Sequence, residues 1–350
     1  METTDRQIQA NLSPPVDVQP AVWVRYALSL AVLGSVFWLV THPGARSAAQ
    51  VRSAAGGSGF QVVAAENFWG SIAAQEAGSR AQVASLIANP NADPHAFEPQ
   101  AADARVVAGA NYVILNGAGY DPWGQKLLSA NPVAGRRVLI VADLVGKGEG
   151  DNPHLWYNPA YVGRVAAQIT ADYQRLDPVD AAYFGRRHAH FVRVALQPYV
   201  REISRIAHAY HGTTVGATES VFQYLAQALR LHVITPPGFM KAMSEGTEPV
   251  AQDRATFDQQ VAQHRIKVLV FNRQNATPDV TSLESKAVLQ GIPIVPITET
   301  LAPASATFQA WQVSQLKALA HALARAAHGR TGSHRTVSAT MRNPDLSNHA

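Results

Sequence analysis

Two stretches of the chain set a histidine directly after a proline in a short polar turn. They are NADPHAFEP, residues 91–99, carrying His95, and DNPHLWYNP, residues 151–159, carrying His154. Proline fixes its own φ and biases the preceding residue toward extended backbone, so both imidazoles are expected on stiff loops rather than on helices. Glu219 in GATES and Glu299 in PITET add two carboxylates. Two imidazoles and two carboxylates make a complete shell for a borderline divalent cation such as Zn²⁺ or Mn²⁺, and the two negative charges neutralise the ion so that its burial is tolerable. Taken singly, each residue has a plainer reading. The histidines serve as turn residues bonded to local backbone, Glu219 as a carboxylate favoured at a helix N-terminus, and Glu299 as part of a capped loop. The same set also suits a metal-dependent hydrolase with one Glu as general base, although the chain has neither an HExxH helix nor a nucleophile elbow.

What lifts the metal reading is where the four residues fall along the chain. From Phe60, strand-like runs (FQVVAAE, AQVASLI, NYVILN, RVLIVA) alternate with helix-period segments, and the rhythm resumes after residue 212 with TTVGA, LHVIT, IKVLVF and IPIVPI. Such βα alternation implies parallel sheets covered on both faces. His95, His154, Glu219 and Glu299 each lie past the C-terminal end of one of these runs, two in each half, where ligands of open α/β sheets collect. VVAAENFWGSIAAQ and VGATESVFQYLAQAL repeat one order of strand, small residue, Glu and aromatic-bearing helix, an internal duplication. Between the halves, Phe184, Phe191, Ala195, Tyr199, Ile203, Ile206 and Tyr210 form one helical stripe, with Asp177-Pro178 as start and Gly212 as stop. At 1.5 Å per residue this helix would run about 50 Å, long enough to join two lobes, and Pro198 should kink it. The fold expected is α/β, two similar lobes with parallel sheets joined by one long linker helix, with the metal in the cleft between them.

With 350 residues and 47% hydrophobic content, the chain can bury two ordinary cores. A net charge of +4, spread thinly, excludes a nucleic-acid face, and the lack of cysteine excludes disulfides, thiolate metal sites and cysteine-linked lipidation. A polar start precedes YALSLAVLGSVFWLVT, an uncharged apolar run from Tyr26 to Thr41 with Arg25 before it, read as an export signal or membrane anchor. GARSAAQ beyond it offers a cleavage site after Ala49, and RSAAGGSGF is linker-like. The organisation expected is leader, anchor and linker at 1–58, an N-terminal lobe at 59–176, the linker helix at 177–211, a C-terminal lobe at 212–329 and a disordered tail at 330–350. Export places the lobes outside the cytoplasm, at the cell surface or in the periplasm.

The run of AAENFWGSIA, NPNADPHAFEPQAADA, ILNGAGYDPW, NPHLWYNP, ATESVFQYLAQAL and FNRQNATPDV resembles the metal-binding solute-binding proteins of ABC importers, the zinc and manganese group. The likeness covers Phe60 to Gly329. It implies a non-enzymatic receptor, monomeric, that delivers Zn²⁺ or Mn²⁺ to a membrane permease and its ATPase partner, with only small shifts of the second lobe on capture and release in acid. It also implies His95 and His154 as ligands from the first lobe and Glu219 as the first from the second. The family completes its site with Asp in a Thr-Asp-Ser turn. Here TET stands in that place, so Glu299 is assigned, with Asn272 and Gln274 as fallback oxygen donors. Many zinc-specific relatives have a third His where Glu219 stands and a His-rich loop where this chain has VGKGEGD, so manganese stays open, oxygen ligands suiting it better. A surface adhesin without transport would share the fold.

Overall fold

The computed structural model describes residues 59–91, 94–275 and 277–332. The expected apolar leader lies outside these residues, and among the described residues no helix is long and apolar enough to cross a membrane.

Eight strands form two four-stranded sheets among the described residues. The first holds β1 (Phe60–Glu66), β2 (Ala81–Ile87), β3 (Tyr112–Leu115) and β4 (Arg137–Ile140); the second holds β5 (Thr214–Ala217), β6 (His232–Val233), β7 (Leu269–Asn272) and β8 (Ile294–Ile297). All pairings are parallel, and the strand orders β2-β1-β3-β4 and β6-β5-β7-β8 are one topology used twice. The duplication read in the sequence is thus a duplication of connectivity. In each lobe the winding reverses beside the first strand, between β1 and β3 and between β5 and β7, which opens a crevice at the carboxyl ends.

Burial on both faces explains why the strands read as apolar runs rather than as alternation. Val62 and Ala64 of β1 join the main core, while Val63 and Ala65 join a smaller cluster on the other face with Val107, Val113 and Leu115. The main core runs through both lobes. It links Trp69, Trp156 and Tyr157 on one side with Trp311, Val295 and Ile297 on the other, so much of the seam between the lobes is packed apolar surface.

The joining helix starts with a 3-10 turn, Pro178–Asp180, continues through Ala181–His190 and ends with Gln197–Ala209; Phe191–Ala195 between the last two is a π-turn. Pro198 accounts for the interruption. It has no N–H to offer the carbonyl one turn back, and the chain widens ahead of it, with Leu196 N–H reaching the Phe191 carbonyl at 2.8 Å. His188 on this helix sets Nδ1 at 3.0 Å from Oε1 of the buried Glu76. The last helix, Phe308–Gly332, also runs three residues into the stretch expected to be aperiodic from residue 330; the rest of that stretch lies outside the described residues.

Candidate metal centre

The four residues singled out in the sequence converge where the carboxyl ends of the two sheets meet. His95 sits on a 3-10 turn, Pro94–Ala96, beyond β2, with Pro94 buried beneath it. His154 precedes a second such turn, Leu155–Tyr157, beyond β4. Glu219 and Glu299 follow β5 and β8 by two residues each. His95, His154 and Glu299 bring one donor atom apiece within 4.8 Å of one another. Oε2 of Glu299 is 3.4 Å from Nε2 of His95 and 3.7 Å from Nε2 of His154. Glu219 stands outside that triad and is tied to it through Asn272, whose Nδ2 donates to Glu219 Oε2 at 3.1 Å and to Glu299 Oε1 at 2.6 Å.

Burial and pairing set the protonation states. Glu299 is fully buried, which alone would raise its pKa. The His95 hydrogen bond and charge, the His154 charge and the Tyr120 hydroxyl outweigh that and hold it at about 2. Glu219 goes the other way: burial and the charge of Glu299 push it well above the usual carboxylate range, against the hydrogen bond from Asn272. Burial pushes His154 down to about 4, with Glu299 pulling upward. Nearby, Glu66 at the end of β1 is raised well above its ordinary value by burial and by Asp121, which disfavours a third anion next to the site. At neutral pH the centre therefore presents a neutral imidazole at His154 and an ionised carboxylate at Glu299, while burial beside Glu299 disfavours a second charge on Glu219.

Two buried atoms aimed at this space have no hydrogen-bond partner, Nε2 of His154 and Oε1 of Glu219. Buried lone pairs are normally satisfied. An imidazole nitrogen and a carboxyl oxygen left bare beside the Glu299 carboxylate suit a bound cation, which would also favour the ionised form of Glu219.

The surroundings fix the geometry. In the loop after β3, Gly117, Ala118 and Gly119 all have positive φ, at 75°, 53° and 79°. Two glycines make that tolerable, and Ala118 carries the strain, of order 1–2 kcal/mol. Asp121 closes the loop by accepting from the Asn116 and Gly117 backbone N–H groups, each at 2.7 Å. The result aims Tyr120 at Glu299, its hydroxyl donating at 2.6 Å to Oε2. The Tyr120 ring meets His95 edge-on with centroids 5.1 Å apart and meets Trp156 at 4.9 Å; Trp156 in turn stacks on Phe68 at 3.9 Å. On the other side, Gln274 Oε1 accepts from the Glu299 and Thr300 backbone N–H groups at 2.6 and 3.2 Å. Asn272 Oδ1 accepts from the Gln274 N–H at 3.0 Å. The oxygens of both amides, expected as fallback donors, are thus committed to backbone, and Asn272 turns its NH₂ toward the carboxylates.

Sequence reasoning gave no role to Tyr120 or Asn152, and took Asn272 as a fallback oxygen donor rather than as a hydrogen-bond donor to both carboxylates. The only local sign of Tyr120 is NGAGYDP, a Gly-rich stretch before Asp that marks a turn. The role of Asn272 depends on β5, β7 and β8 lying side by side, which no local pattern announces.

A cleft of about 790 Å³ opens above the site. His95, Gly119, Glu149, Asp151, Lys241 and Glu245 are among the residues that line it. His95 is the exposed member of the triad and faces this opening.

Known proteins resemble the chain across these features. A relative from Thermotoga maritima is 24% identical over 185 residues, 51% of this chain and 64% of its own length. The manganese-binding lipoprotein MntA of Halalkalibacterium halodurans is 27% identical over 131 residues, 37% of this chain and 43% of its own. The matches thus span between about two-fifths and two-thirds of those relatives. The Mn-bound periplasmic metal-binding protein of Candidatus Liberibacter asiaticus has the same fold, with a TM-score of 0.63 at 16% identity, covering 75% of this chain and 99% of that one. The profile of ZnuA, the periplasmic component A of the zinc-uptake complex, matches residues 62–322, the whole span that carries both sheets, the joining helix and the His/Glu centre, and the chain belongs to that family.

Proposed function

We propose that the protein captures a divalent transition metal, Zn²⁺ or Mn²⁺, between its lobes and hands it to the permease of an ABC importer with its ATPase. It does so outside the cytoplasm, held or exported by its N-terminal apolar segment, and works as a monomer with lobes at 59–176 and 212–329 about the helix 177–211. The ligands are His95, His154, Glu219 and Glu299, and the ion is cargo on which no reaction is performed. One observation carries this reading: the partnerless, buried Nε2 of His154 and Oε1 of Glu219 beside the ionised Glu299. Family membership supports it, as do the manganese named for the Halalkalibacterium relative and the Mn²⁺ held by the Liberibacter structure.

The mixed nitrogen and oxygen set is compatible with both ions, carboxylates favouring Mn²⁺ more than a three-histidine site would. Opening is expected to be small. Tyr157 donates to the Thr298 carbonyl at 2.8 Å, and the Leu301 N–H reaches Asn67 Oδ1 at 3.0 Å, so the segment bearing Glu299 is bonded to the first lobe on both sides. Calorimetric titration of the chelated protein with Zn²⁺ and with Mn²⁺ tests the reading. One tight site, about 12 kcal/mol if nanomolar, lost in both His154→Ala and Glu299→Ala, is expected. Affinity no better than millimolar for either ion overturns it.

A further inference from the structure

Asn152, two residues before His154, uses its side chain on both lobes. Oδ1 accepts from the His154 backbone N–H at 3.1 Å and lies 2.7 Å from Nδ1 of its ring. Nδ2 donates to the Ser220 carbonyl at 2.7 Å and to Gln223 Oε1 at 3.0 Å. The Tyr224 hydroxyl adds a bond to the Asn152 carbonyl at 3.1 Å. The carbonyl of Ser220 can only accept, which fixes the amide with its NH₂ toward the second lobe and its oxygen toward the imidazole. That oxygen in turn can only accept, so Nδ1 carries the proton and Nε2 presents its lone pair to the metal site. Ser220 Oγ also approaches Nδ1, but at 3.4 Å, and it is held by Ser244 Oγ at 2.8 Å.

The partners of Nδ2 lie on the turn Ser220–Phe222 and the helix Gln223–Ala228, immediately after Glu219. One amide therefore joins the orientation of a first-lobe imidazole to the position of the segment that carries a second-lobe carboxylate. We propose that Asn152 is a positioning residue that makes retention of the metal by His154 conditional on contact between the lobes. When the segment Ser220–Tyr224 draws away, as a permease would require for release, the amide loses the acceptors that hold it. His154 then loses the acceptor that sets its tautomer and ring plane. The inference rests on His154 being a metal ligand.

The variants separate the two ends of the amide. Gln223→Ala with Tyr224→Phe removes lobe-side bonds from half-buried positions and touches no candidate ligand. Asn152→Asp keeps an acceptor for His154 but turns an oxygen toward the Ser220 carbonyl. Asn152→Ala removes both ends. Dissociation of Zn²⁺ from the full chain into excess chelator, followed by stopped flow, is the readout, with thermal unfolding of each metal-free variant as the control for folding. Release about tenfold faster is expected in the Gln223/Tyr224 double variant and in Asn152→Asp. Adding Gln223→Ala to Asn152→Ala should accelerate release no further, because the Gln223 bond acts through the Asn152 side-chain amide. A wild-type release rate in the double variant, or additive effects in the combination, overturns the coupling. Should the wild-type protein bind neither Zn²⁺ nor Mn²⁺, the metal-receptor reading fails and takes this inference with it, whereas tight wild-type binding with additive variants sinks the coupling alone.

Discussion

The Tyr120 hydroxyl and the Glu299 carboxylate meet at 2.6 Å across the cleft, on the same oxygen that faces both histidines. A neutral donor from one lobe thereby holds the anion of the other in the position from which it would take a metal. The aromatic stack behind Tyr120 and the three positive-φ residues before it leave the ring little freedom to turn away. Tyr120→Phe keeps the stack and removes only the hydroxyl. Affinity for Zn²⁺ should fall about tenfold, the usual cost of losing a partner that orients a ligand, with little change in the melting temperature of the metal-free protein. Calorimetry and thermal unfolding side by side give the answer; unchanged affinity would mean that Glu299 is oriented by Asn272 and Gln274 alone.

Proton release on binding should report Glu219. Burial and the neighbouring Glu299 raise its carboxyl well above the usual range, whereas Glu299 is already ionised and burial has kept His154 neutral. A metal that takes an oxygen of Glu219 stabilises its ionised form, so binding should liberate the proton that burial and Glu299 favour there. Titrations in buffers of different ionisation enthalpy count it directly. Glu219→Gln should bind more weakly and release none; if it releases as many protons as wild type, they come from elsewhere.

The metal-free protein should lose stability in mild acid through His154. Its folded pKa, about 4, lies below the value of about 6.5 expected for an unfolded chain, so between these pH values the unfolded state binds the extra proton. Stability from this group is present above pH 6.5 and disappears as pH falls toward 4, a change on the order of 3 kcal/mol. Glu219 acts in the opposite sense: its raised pKa favours the folded state at low pH, and that advantage fades as pH rises. Glu299, held at about 2, matters only below the ordinary carboxylate range. In urea unfolding of the metal-free protein from pH 4 to 7, the slope of stability against pH should be more positive in wild type than in His154→Gln. Parallel profiles for the two proteins would count against a buried neutral imidazole.

Away from the cleft, His188→Ala should destabilise without touching metal binding. Glu76 is wholly buried and is held by the His188 ring at 3.0 Å and by the Thr170 hydroxyl at 3.1 Å. Removing the imidazole leaves a buried carboxyl short of a partner, at a cost of roughly 1–3 kcal/mol. Denaturant titration measures that loss, and calorimetry with Zn²⁺ on the same variant should return the wild-type affinity. A fall in affinity would show that the joining helix transmits strain to the site.

Much of this architecture was written locally. Parallel strands buried on both faces demand continuous apolar runs, and those runs are in the sequence. Pro-His turns demand stiff loops, and both histidines stand on short turns next to a proline. The long stripe between the halves is one helix in the structure, and the π-turn ahead of Pro198 is the local consequence of a missing N–H that the sequence also foretold. Glu219 and Glu299 were legible because each lies just past a strand, where an α/β sheet gathers its ligands, whereas His95 and His154 stand further on, His154 beyond a short helix, and were legible from their Pro-His turns.

The sequence by itself determined which chemistry was available, two imidazoles and two carboxylates with no thiol, and on which strand ends each would stand. Only the tertiary structure decided how they would be held. Asn272 lies between Glu219 and Glu299 because β5, β7 and β8 pair in that order, and Asn152 meets Ser220 and Gln223 because two separately formed lobes pack on one core. The protonation states follow from the same packing. Burial raises Glu219 and lowers His154, while Glu299, equally buried, is held down by two histidines and a tyrosine. A desolvation penalty depends on everything that surrounds a group in three dimensions, most of it far away along the chain, so no spacing of residues could have announced it.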